Sequence, residues 1–157
     1  MKTNKHLEKT TAMVLAMSAL LINVGCGPAE EEDEGSTAQV LECDDLTQDL
    51  QLTNRNDTVD YILNCDWSID GDAVIDPGVV LHVEDNFTIR ADSDEASLSA
   101  KGTMAAPILI RGVNAVRGAW GGIYFDSAST RNALDYVTIE HGGGVEVTSN
   151  AYQGSVI

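Results

Sequence analysis

Basic residues are scarce in this chain. Lys and Arg number 9 against 25 Asp and Glu, giving a formal net charge of −16 over 157 residues. No Lys/Arg cluster offsets that balance, and such a surface repels phosphate backbones, so no nucleic-acid partner is expected. Aromatic residues make up 5% and prolines number 3, so small and β-branched residues must build most of any core. The 3 cysteines include no Cys-x-x-Cys pair, which argues against a zinc site. No apolar run reaches the roughly 20 residues of a spanning helix. A phosphate loop, a dinucleotide fingerprint and a G-x-S-x-G nucleophile elbow are all missing, which removes the commonest enzyme classes.

What is present begins at the N-terminus. Lys2, Lys5 and Lys9 sit among polar neighbours, and residues 12–24 are mostly apolar. A charged stretch followed by a short apolar run has the form of a secretory signal. The run ends at Ile22-Asn23-Val24-Gly25-Cys26-Gly27. This stretch resembles the signal of bacterial lipoproteins, in which a small residue precedes the Cys that receives lipid. Gly25 takes the small position and Cys26 the lipidated one, while Asn23 stands where the family prefers Leu. The resemblance implies a signal peptide over residues 1–25 and attachment of the exported chain to the cell membrane through acyl chains on Cys26. Each buried acyl CH₂ contributes about 0.8 kcal/mol, and several chains make the anchor near-permanent. Gly27, in place of the Asp that retains such proteins at the inner membrane, implies the outer membrane.

Loss of residues 1–25 removes Lys2, Lys5, Lys9 and Glu8, a net +2, and takes the charge from −16 to −18. Residues 26–42 follow as an acidic tether with five consecutive acids, Glu30 to Glu34. Such a run repels itself and cannot form a core. With Cys26 lipidated, Cys43 and Cys65 remain as an even pair in an oxidising compartment, and a disulfide between them is expected.

From Asp57 onward the chain is a series of short bursts rich in Val and Ile, among them Val79–Val83, Phe87–Ile89, Ile108–Ile110, Ile123–Phe125 and Val137–Ile139. Turn residues separate them, including Pro77-Gly78, Asp85-Asn86, Gly121-Gly122 and Gly142-Gly143-Gly144. No burst has the length or 3.6-residue spacing of a helix; residues 45–51 are the best, short, helix candidate. Alternation places Val79, Leu81 and Val83 on a buried face opposite Val80 and His82, and Val137 and Ile139 opposite Tyr136, Thr138 and Glu140. Thr88-Ile89-Arg90-Ala91 and Leu109-Ile110-Arg111-Gly112 echo each other at a spacing of 21 residues, a solenoid-like period. The phrases Val74-Ile75-Asp76-Pro77-Gly78-Val79, Ala106-Pro107-Ile108-Leu109-Ile110-Arg111-Gly112, Trp120-Gly121-Gly122-Ile123-Tyr124-Phe125 and Leu134-Asp135-Tyr136-Val137-Thr138-Ile139-Glu140-His141 resemble the right-handed parallel β-helix domains of exported bacterial lipoproteins. The fold this implies is all-β: a short right-handed parallel β-helix over residues 43–157. Residues 43–72 would form an N-terminal cap region and residues 73–157 the rungs. Ile157 falls within a few residues of a strand, so the C-terminal end is expected to be incomplete.

Several groups are candidates for chemistry. β-helix lyases and hydrolases cluster acids and bases on one strand face. Here the candidates are His82 and Glu84 beside Asp85, Arg90 with Asp92 and Asp94, and Glu140 with His141. A paired-carboxylate mechanism needs two acids about 5–10 Å apart. Residues 66–72 and 92–95 are acid-rich loops that raise calcium as the alternative to an expectation of no cofactor. Trp67 and Trp120 could stack on sugars or pack in the core. His141-Gly142-Gly143-Gly144 matches an oxyanion motif, but without a nucleophile elbow it reads as a tight corner. The functional expectation is a lipid-anchored envelope protein with a non-catalytic binding or display module directed at polysaccharide. A fragment of a carbohydrate-active enzyme and a truncated product are the alternatives.

Overall fold

A computed structural model describes residues 38–46, 49–144 and 156. The expected signal peptide, Cys26, the acid run Glu30–Glu34, the burst at residues 145–147 and the end at Ile157 lie outside the described residues.

Twelve strands of three to five residues make three parallel sheets, with no α-helix among the described residues. The first sheet orders β1 (Gln39–Leu41), β3 (Tyr61–Leu63), β6 (Val80–Val83), β9 (Ile108–Gly112) and β12 (Val137–Glu140). The second orders β2 (Leu50–Leu52), β5 (Asp72–Ile75), β8 (Ser97–Lys101) and β11 (Ala133–Asp135). The third orders β4 (Trp67–Ile69), β7 (Thr88–Ala91) and β10 (Gly122–Phe125). From Trp67 to Glu140 the chain visits third, second and first sheet in that order, three times.

Strands this short cannot hold themselves; aligned columns of apolar side chains do. Tyr61, Leu81, Ile110 and Ile139 align across the first sheet. Trp67, Ile89 and Ile123 align across the third, and Leu52, Ile75, Ala100 and Leu134 across the second. Most of these are buried to 5% exposure or less and belong to one core. Each fully buried Leu or Ile contributes about 1.5–3 kcal/mol. Parallel sheets usually read as continuous apolar runs because both faces are covered. Here the period is two: in β6, Leu81 and Val83 are buried while Val80 and His82 are half-buried. Each sheet therefore has one core face and one outward face.

Four local expectations differ from the structure. Residues 45–51 form no helix: a 3-10 turn at Cys43–Asp45 is followed by β2, because Leu50 and Leu52 alternate with Gln51 and pair with Ala73 and Ile75. The first strand begins at Gln39, inside the stretch expected as tether, where Gln39 N donates to Asp60 O at 2.9 Å and Leu41 is buried. Residues 43–72 hold β2, β3 and β4, which pair into the same sheets as the later strands rather than standing apart as a cap. The 21-residue echo is not a structural repeat. Arg90 lies on the third sheet opposite Ser68 and Tyr124, whereas Arg111 lies on the first opposite His82 and Glu140. The two segments share composition because every strand meets the same core. Aligned positions of the first sheet fall 29 residues apart instead, at Leu81, Ile110 and Ile139.

Cys43 and Cys65 are brought to disulfide distance, with Cα atoms 5.9 Å apart. The pair links the 3-10 turn after β1 to the corner between β3 and β4.

Candidate functional site

The outward face of the first sheet gathers polar groups that are far apart in sequence. Register aligns Val40, Ile62, His82, Arg111 and Glu140 in one column, each on a successive strand. Neighbouring strands are about 4.8 Å apart, so the column is a ladder of side chains at that spacing. A second outward column places Val80 beside Leu109 and Leu109 beside Thr138. Ile62, Val80 and Leu109 are half-buried, and Val40 is exposed. The face is thus an apolar floor crossed by one polar row.

Arg111 Nε donates to His82 Nε2 at 2.7 Å. An accepting Nε2 is an unprotonated one, so the neutral ring carries its proton on Nδ1. Burial lowers the His82 pKa from its ordinary value of 6.5, and the Arg111 charge lowers it further. This bond fixes the guanidinium through its inner nitrogen. No described residue takes a hydrogen bond or ion pair from the two outer nitrogens, and none donates to the Glu140 carboxylate alongside. The row therefore presents a forked donor beside an acceptor.

β12 is bracketed by two side chains in left-handed backbone, Tyr136 at φ +49° and His141 at φ +65°. For residues with a Cβ this conformation costs roughly 1–2 kcal/mol. At Tyr136 the surroundings impose it. Tyr136 O accepts from Ile108 N at 3.0 Å, and Gly102 N donates to Asp135 O at 2.8 Å. Tyr136 O also lies only 2.7 Å from where a Cβ on Gly102 would be. The ring is left 63% exposed at the corner leading into β12. At the other end, Trp120 Nε1 donates to Glu140 O at 2.8 Å, and His141 Nδ1 is buried without a partner.

The other candidate groups are spent on structure or lie apart. Trp67 and Trp120 are 1% and 0% exposed, so neither meets a sugar; both are core residues. Glu84 is exposed, and Asp85 accepts from Asn114 Nδ2 at 2.6 Å. Arg90 lies on the third sheet, away from His82 and Glu140. Asp66 accepts from Thr88 N at 2.8 Å, and Asp72 from Ser97 Oγ and Arg131 at 2.6 and 2.9 Å. Among the described residues no group of three or more His, Cys, Asp or Glu is placed to hold a metal ion. Gly142 to Gly144 make a close approach: Gly144 N donates to Trp120 O at 3.1 Å and its Cα packs on Gly118, with no room for a Cβ. That is the tight corner.

Comparison with protein-family models, curated proteins and solved structures finds no match.

Sequence reasoning chose His82 and Glu140 for separate clusters and passed over Arg111, the residue that stands between them in the row. It also looked for sugar-stacking rings among the tryptophans and left out Tyr136. The available signal was the alternation around β12, which already put Tyr136, Thr138 and Glu140 on the wet face.

Proposed function

We propose that this chain is an exported lipoprotein, held at the outer membrane by lipid on Cys26, whose domain is a right-handed parallel β-helix that binds polysaccharide on the outward face of its first sheet. The observation that carries the binding role is the half-buried Arg111 fork, held by His82 between apolar side chains and the exposed Glu140. Sugars offer apolar ring faces and hydroxyls that both donate and accept, and this row offers their complements. The repeated third–second–first order of parallel strands supports the β-helix. The sequence around Gly25-Cys26 supports the anchor, and the acidic residues 26–38 serve as a spacer from the anionic membrane.

Each part has its own test. Palmitate labelling and globomycin-sensitive processing are expected in the wild type and lost in Cys26→Ser; labelling that persists in the variant refutes the anchor. For binding, the full chain carrying Cys26→Ser is applied to a glycan array. Retention that weakens in Arg111→Ala is the expected result, and no retention on any glycan refutes the polysaccharide role.

A further inference from the structure

We infer that Tyr136 is the stacking platform of this face and that the polymer it takes is a neutral pyranose chain; this rests on the polysaccharide reading above. Three independent observations converge on the ring. First, among the described residues it is the one Tyr or Trp that the core leaves mostly bare, at 63% exposure, while both tryptophans are buried. Second, it occupies a left-handed backbone position that disfavours bulky side chains, in a corner that Asn or Gly would fill without strain. Third, it opens the strand whose outward side chains are Thr138 and Glu140, and Glu140 stands beside Arg111. Tyr136, Thr138 and Glu140 are all exposed, and Arg111 is half-buried beside Glu140. A pyranose laid on the ring would bring its hydroxyls towards that polar row.

Charge selects the class of sugar. The chain carries −16 overall, Glu140 lies next to Arg111, and Glu84 leaves the same sheet one residue beyond β6. A uronate polymer would meet that field with Arg111 as the one permanent cation of the row, so neutral chains are favoured.

The test uses the full chain with Cys26→Ser and four probes: cellohexaose, maltohexaose, xylohexaose and polygalacturonate. Binding to at least one neutral hexaose is expected. Tyr136→Asn, which keeps the left-handed corner without the ring, should weaken that binding about tenfold while leaving thermal stability no lower. Tyr136→Phe should hold within about twofold, because the ring face rather than the hydroxyl makes the contact. Wild-type affinity in Tyr136→Asn overturns the platform and leaves the polysaccharide reading standing. Preference for polygalacturonate over every neutral probe overturns the neutral class. Failure to bind any probe overturns the inference, and a failed glycan array alongside it overturns the reading on which it rests.

Discussion

Asp60 offers the sharpest test of how the sheets are joined. It is fully buried, at the corner leading into the first sheet. Its carboxylate accepts from Arg55 N and from Val80 N, both at 2.7 Å, which ties the preceding loop to the first residue of β6. Its own backbone accepts from Gln39 N and donates to Val80 O, both at 2.9 Å. Asp60→Ala keeps the backbone bonds and removes both side-chain acceptors. A hydrogen bond to a charged group contributes about 1.5–3 kcal/mol, and the donors left behind are partly buried, so a loss of about 3–5 kcal/mol is expected. That is a large share of the roughly 5–15 kcal/mol a domain possesses. Asp60→Asn retains one acceptor oxygen and should lose about half as much. Urea unfolding followed by the fluorescence of Trp67 and Trp120, which are 1% and 0% exposed, reads both variants. An Asp60→Ala stability within about 0.5 kcal/mol of wild type would refute the claim that this carboxylate holds the corner.

Three further outcomes follow from the same structure. The Cys43→Ser, Cys65→Ser double variant should lose about 3 kcal/mol under oxidising conditions, from a closed loop set by the separation of 22 residues, and a reductant should bring the wild type to the same unfolding midpoint. Gly102→Ala should lose about 1–3 kcal/mol in urea melts, since the new Cβ would lie 2.7 Å from Tyr136 O and 3.0 Å from Ile108 N. His82 has its folded pKa depressed below 6.5, by burial first and Arg111 second, so unfolding takes up a proton as pH falls below that value. Wild-type stability should be unaffected by this group above pH 6.5 and decline below it towards the lower folded pKa. His82→Gln should show a shallower decline between pH 7.5 and 5.5 in paired urea titrations, and equal slopes would contradict the assignment.

The sequence alone determined that the described residues are all-β from Asp57 onward, that the strands are short, and which side chains of strands such as β6 and β12 face inward. Those properties are local: alternation at period two in Val79 to Val83 follows from strand geometry, whatever the partner strand. It also paired Cys43 with Cys65. Only the tertiary structure decided which strands lie side by side, because parallel pairing is set by register between segments 20 or more residues apart, and the strands carry similar short apolar patterns. Hence Arg90 and Arg111 looked alike in sequence yet stand on different sheets. His82, Arg111 and Glu140 looked unrelated and stand in one row. The burial of Trp67 and Trp120 was decided there too, since an aromatic ring is core or surface according to what the next strand lays over it.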